Sequence, residues 1–243
     1  PMCRFLHCGG NNPGNGNTRR TPPQEGQTVI QGITVRYPGI AAVLLCCLLL
    51  SACSDSQTRL PRLPGDAILL AFGDSLTFGT GAAPAESWPA VLARLSGHEV
   101  INAGIPGEVS ASGKERLPGL LDTHDPDLLI LCHGGNDLLR KFNPQATRAN
   151  LGAMIENARQ RNIPVLLVGV PRPGLILLES AELYDDLARQ YALAYESDIL
   201  AEVESDESLK SDHVHPNAAG YRKIAESLLR QLQASGALPR DDS

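Results

Sequence analysis

Aromatic residues make up only 4% of the 243-residue chain, and nowhere does a run of lysine and arginine interleave with them. Acidic residues outnumber basic ones, 27 to 21. A basic, stacking surface for nucleic acid is therefore missing, and that class of partner is excluded. Cysteine is scarce where it would matter, since Cys132 alone of the six lies beyond residue 53. The C-terminal part can therefore close no disulfide within itself. Cys132 ends an apolar run and reads as a small buried residue, with no His–Cys spacing around it that would suit a metal. No apolar stretch reaches the roughly 20 residues that span a bilayer, and GIAAVLLCCLLLSA at 39–52 stops short of it.

The first fifty residues carry other signals. Residues 9–28, GGNNPGNGNTRRTPPQEGQT, follow neither a two-residue nor a 3.6-residue period and bury too little to fold. Arg36 then precedes the apolar run, and Leu50-Ser51-Ala52-Cys53 closes it. A basic residue, an apolar region and small residues at its end are the parts of a secretory signal. The closing residues resemble the lipobox of bacterial lipoproteins, which implies cleavage before Cys53, lipid on its thiol and anchoring to a membrane. Ser54 in the second mature position resembles lipoproteins delivered to an outer membrane, facing the periplasm. The expected organisation is a non-native or disordered extension at 1–34, with the true start near Val35, a lipoprotein signal peptide at 35–52, a polar tether at 53–65 and one folded domain at 66–243.

Within that domain short apolar runs alternate with amphipathic segments. Strands are expected at 66–72, 98–102, 127–132, 163–170 and 197–201, and helices at 87–96, 110–121, 144–161, 180–196 and 217–233. Pro118 and Gly119 interrupt the second helix. The runs DLLILC and IPVLLVGV are continuous rather than alternating, as in strands covered on both faces, so the sheet is parallel. Strands alternating with helices through right-handed crossovers give an α/β fold, a three-layer α/β/α sandwich on a five-stranded parallel sheet. In such a fold the ligand site lies at the carboxyl ends of the strands.

The polar clusters fall at those ends. Gly73-Asp74-Ser75 follows the first strand, Asn102-Ala103-Gly104 the second and Gly134-Gly135-Asn136-Asp137 the third, while Asp212-His213-Val214-His215-Pro216 precedes the last helix. Each has an ordinary explanation. Ser75 could cap a helix, Gly104 could serve a tight turn, Asn136 could cap the segment containing Leu138 and Leu139, and either histidine could be a surface residue. Together they are the parts of acyl transfer: a serine, a histidine with an aspartate three residues before it, a glycine that exposes backbone and an asparagine amide.

On these residues the chain resembles the SGNH subgroup of the GDSL esterases and lipases, over roughly residues 66–233. Ser75, Gly104, Asn136 and His215 match the four named residues in order, with Asp212 completing a triad. GDSLTFG, GGND and Glu86-Ser87-Trp88-Pro89 make bacterial arylesterase, thioesterase I and lysophospholipase the most similar members. His133 departs from the pattern, since an apolar residue is commoner before Gly134. The resemblance implies a flavodoxin-like SGNH fold and a serine hydrolase that cleaves acyl esters through an acyl-enzyme. Ser75 would be the nucleophile, His215 the base and Asp212 its partner. The N–H groups of Ser75 and Gly104 and the amide of Asn136 would form the oxyanion hole, with no metal or organic cofactor required. His213 competes with His215, but Asp-x-x-His puts Asp212 and His215 on one side of a turn.

The substrate stays open among short esters, lysophospholipids and acyl thioesters. Leu175 and Ile176, in the apolar run that follows the fourth strand, could bind the acyl chain or could start the buried face of the next helix. Two other readings compete: a carbohydrate O-deacetylase using the same triad, and a non-catalytic lipoprotein binding module that holds an anion at Gly73 to Ser75.

Overall fold

The computed structural model of the chain describes residues 58–172 and 180–240. Five strands form one all-parallel sheet: β1 (Ile68–Gly73), β2 (Glu99–Gly104), β3 (Leu128–Cys132), β4 (Val165–Val168) and β5 (Ala194–Glu196), in the order β2-β1-β3-β4-β5. The central strands β3 and β4 are buried at every residue, which is why LLILC and VLLV show no alternation. Around the sheet lie α1 (Ser75–Phe78), α2 (Trp88–Ser96), α3 (Ser110–His124), α4 (Gly135–Leu139), α5 (Pro144–Gln160), α6 (Glu182–Tyr191), α7 (Ile199–Ser205) and α8 (Ala218–Ala234). α2 packs on α8, and α3 packs on α5, which in turn meets α6. These pairings cover the sheet with two helical layers and give the three-layer sandwich expected from the pattern.

Three segments differ from the sequence reading, each for a physical reason. The fifth strand lies at Ala194–Glu196, and most of the stretch expected to form it, 197–201, belongs to α7 instead. α6 stops at Tyr191, because Ala192 adopts a left-handed φ of 46° and turns the chain early. Ile199, Leu200 and Val203 then bury at helical rather than strand spacing. α3 runs unbroken through Pro118. An interior proline costs a helix roughly 3 kcal/mol, and the burial of Gly113, Leu117 and Leu121 along one face offsets it.

The third difference is at the start. Leu60 and Leu63, read as tether, are each only 9% exposed. Their N–H groups donate to Ser235 O and Ala237 O, both at 2.9 Å. Ser235 caps α8, whose axis runs from the Asp212–Pro216 loop back to the amino ends of the strands. Residues 60–63 are thus a docked strap of the domain, and any tether ends before them. Among the described residues no helix is long and apolar enough to cross a membrane.

The strap makes a testable contribution to stability. Truncating a buried leucine costs the lost transfer energy and leaves a cavity, so Leu63→Ala should lower the unfolding free energy by about 2 kcal/mol. Urea denaturation followed by circular dichroism checks this, and a free tether would show no change.

Candidate active site

The turn after β1 settles what caps α1. Asp74 is the N-cap, its Oδ1 accepting the Leu76 N–H at 3.1 Å, and Ser75 is the first helical residue. The cap is therefore the aspartate, and the Ser75 hydroxyl is left for another partner. Gly73 is needed at this point because the chain passes close to β3. A Cβ there would lie 2.0 Å from Cys132 O and 2.2 Å from Thr77 Oγ1. Burial pushes the Asp74 carboxyl above its ordinary range, opposed by the ring of His133 and by the N–H groups of Leu76, Gly135 and Asn136.

The partner of Ser75 comes from 140 residues downstream. His215 Nε2 lies 3.1 Å from Ser75 Oγ, and His215 Nδ1 lies 2.8 Å from Asp212 Oδ2. Asp212 also folds the loop, since its Oδ1 accepts the N–H groups of Val214 and His215, both at 2.8 Å. Asn217 fixes the loop from behind: its Oδ1 caps α8 through Ala219 and Gly220, while its amide reaches Ser208 O and Lys210 O. The hydrogen bond from the His215 side chain, then those two N–H groups, hold the Asp212 carboxyl down at about 2. Asp212 is an acceptor at every working pH, which assigns the Nδ1 proton of His215 and leaves Nε2 to accept from the Ser75 hydroxyl. His213 is exposed at the edge of the same cleft and bonds neither residue.

The third turn brings Asn136 in on α4. Its Nδ2 donates one hydrogen to Glu108 O at 3.1 Å and keeps the second. Gly104, expected as a backbone donor, does not offer its N–H, because Asn102 Oδ1 accepts it at 3.0 Å. Gly107 lies in the loop three residues on, with φ of 76° and its carbonyl held by Arg140 Nη2 at 3.0 Å. Its N–H has no acceptor among the described residues, and it directly precedes the Glu108 carbonyl that Asn136 touches. The sequence reading missed this because NAGIPG offers two glycines three residues apart, and only the side-chain direction of Asn102 separates them.

Behind these donors is a buried network that the sequence did not reveal. His133, fully buried, accepts the Gly134 N–H on Nδ1 at 2.8 Å and faces Glu108 Oε2 through Nε2 at 3.1 Å. Glu108 is gripped from the other side by Arg116, whose Nη2 lies 2.6 Å from Oε2 and whose guanidinium stacks 4.3 Å from the Phe72 ring centre. Burial pushes the Glu108 carboxyl up, yet the hydrogen bonds and charges of His133 and Arg116 hold it at about 2. Asp137, one residue after Asn136, points away from the cleft and accepts Ser110 N at 2.7 Å and Ser110 Oγ at 2.6 Å. It thereby ties α4 to the start of α3. Leu175, Ile176 and Cys53 lie outside the described residues.

A serine, a histidine and an aspartate joined by hydrogen bonds at the carboxyl edge of a parallel α/β sandwich are the build of a serine hydrolase. The chain belongs to the GDSL-like lipase/acylhydrolase family, whose pattern matches residues 71–223, and is a carboxylic ester hydrolase of the GDSL/SGNH type. It is similar to thioesterase 1/protease 1/lysophospholipase L1 of Escherichia coli strain K12, 33% identical over 172 residues that span 68% of this chain and 83% of that protein. Esterase TesA of Pseudomonas aeruginosa is 32% identical over 196 residues, covering 76% of this chain and 97% of that one. The crystal structure of TesA matches with a TM-score of 0.61 at 28% identity, over 69% of this chain and 99% of the other.

The Asp137 tie carries a prediction. Asp137→Ala leaves the Ser110 N–H buried without its acceptor, and hydrogen bonds to a charged group contribute about 1.5 to 3 kcal/mol each. The variant should lose at least about 2 kcal/mol of stability in urea denaturation and should also lose turnover, because α4 carries Asn136.

Proposed function

We propose that Ser75 is the nucleophile, His215 the general base and Asp212 its orienting partner. One observation carries the assignment: a single imidazole bridges Ser75 Oγ at 3.1 Å and Asp212 Oδ2 at 2.8 Å. A serine hydroxyl attacks poorly until a base takes its proton. His215 Nε2 accepts that proton as Oγ bonds to the acyl carbon, and the imidazolium is stabilised by ionised Asp212. The carbonyl oxygen becomes an oxyanion, received by the N–H groups of Ser75 and Gly107 and the second amide hydrogen of Asn136. Removing one such donor costs about 3 to 4 kcal/mol at the transition state. His215 then gives its proton to the departing alcohol or thiol, and a water molecule repeats the sequence on the acyl-enzyme.

The relatives' names suggest the substrate range of esters, thioesters and lysophospholipids. The N-terminal reading extends the proposal: residues 35–52 act as a lipoprotein signal peptide, and Cys53 carries lipid that holds the domain to a bacterial membrane, the outer membrane facing the periplasm. What supports this is the sequence pattern of Arg36, the apolar run and Leu50-Ser51-Ala52-Cys53.

Ser75→Ala and His215→Ala should each lower kcat by about four to six orders of magnitude, and the double variant should be little worse, because the pair acts as one unit. Losses that multiply in the double variant would contradict the pairing. His213→Ala should lose less than about tenfold, and a fluorophosphonate should label Ser75 alone.

Expression with labelled palmitate tests the anchor. Wild-type protein should take up label and fractionate with membranes, and Cys53→Ser should do neither. Unlabelled, soluble wild-type protein would remove the anchor and leave the hydrolase assignment untouched.

A further inference from the structure

Beside Ser75 lies a cavity of about 180 Å³. It opens onto the surface cleft, and its inner end has room for a short acyl group. Leu76, Leu139, Val170 and Pro171 make part of its wall apolar. The remainder is unusual for a lipid-binding wall, because Glu204 on α7 and Lys210 after it also line the cavity.

We propose that this cavity is the acyl subsite and that Glu204 makes it selective for short chains, from acetyl to about butyryl. The proposal rests on Ser75 being the nucleophile and narrows the substrate class of that same site. An alkyl chain laid against Glu204 strips water from a carboxylate and offers no hydrogen in return. Lys210 offsets the charge only in part, since its ammonium also lies 2.7 Å from the exposed Glu207. A chain that stops near the ester carbon uses the apolar wall and leaves Glu204 its water.

The charge of Glu204 is itself adjustable. Burial pushes its carboxyl up to about 7, with Lys210 opposing and Asp74 adding to the rise. The other ionisable groups around it are His213 in the same wall and the Cys132 thiol, which is pushed up by burial and, more weakly, by the charges of Asp74 and Glu204. As the pH falls through about 7, Glu204 takes up a proton and the wall becomes kinder to alkyl chains.

Hydrolysis of nitrophenyl esters by the full chain tests this through the ratio of kcat/KM for octanoate to that for acetate, which cancels the titration of the base. An apolar wall rewards each buried methylene about fourfold. The wild-type enzyme should prefer two to four carbons, and at pH 8 Glu204→Leu should raise the octanoate-to-acetate ratio at least tenfold. In the wild type the ratio should climb several-fold from pH 8 to pH 6, while in Glu204→Gln it should stay flat. The pH series needs no variant, so a misfolded substitution does not rescue the idea. A wild-type optimum at eight carbons or more, a ratio unmoved by Glu204→Leu, or a wild-type ratio indifferent to pH each overturns the subsite. Absence of all hydrolysis with Ser75 unlabelled by fluorophosphonate would instead overturn the nucleophile on which it rests.

Discussion

Gly73 is paired with Gly104 on one side and with Cys132 on the other, and this common register governs what the protein can do. Three parallel strands that end at one level release three turns at one level. The first carries Ser75, the second the Gly107 loop and the third Asn136. The register depends on backbone contact at Gly73, where the space for a side chain is already filled by a carbonyl of β3 and the Thr77 hydroxyl. A side chain there would push β1 and β3 apart and separate the serine from its donors before it disturbed the core. The continuous apolar runs of the central strands anchor the sheet beneath these turns, since β3 and β4 are buried on both faces.

Charge is distributed around the cleft according to what each group must do. Asp212 is more than half exposed and still ionised, because hydrogen bonds rather than burial set its state. Glu108 is almost fully buried and also ionised, because Arg116 and His133 both face it. A lone buried carboxylate would cost several kcal/mol, so this ion pair is a constraint rather than a reservoir of stability. Its consequence is geometric. Glu108 is fixed through its side chain, and its carbonyl in turn fixes the amide of Asn136. His133, which breaks the family pattern, therefore supports the Asn136 amide through Glu108.

The sequence made the sheet legible because the strands are short, apolar and separated by helices of ordinary length. α2, α3, α5, α8 and the first four strands sit within a few residues of their expected bounds. It made Ser75, Asp212, His215 and Asn136 legible because their segments fall together at the carboxyl ends of the strands and before the last helix, and jointly resemble the pattern of one family. It failed where two periods fit one stretch, as at Ile199 to Val203, and where a side chain decides which neighbour is free, as with Asn102 between Gly104 and Gly107. It could not show the Arg116–Glu108–His133 network, because those residues come from different elements and no local spacing links them. The leucines at 60 and 63 were hidden among prolines, whose fixed φ suits an extended strap as well as a loose linker.

The two edges of the sheet divide the work. Chemistry collects at the carboxyl edge, while the chain enters the domain at the amino edge, where Leu60 and Leu63 bind the end of α8. α8 starts two residues after Pro216 and runs 17 residues, about 25 Å, before reaching the strap. Side chains that far apart with no shared partner act independently, so the strap can be weakened or pulled without moving His215. The loop that carries His215 is instead fixed locally, by Asp212 Oδ1 on the N–H groups of Val214 and His215, by the Asn217 amide behind it and by the Ser211 N–H on His215 O at 2.9 Å.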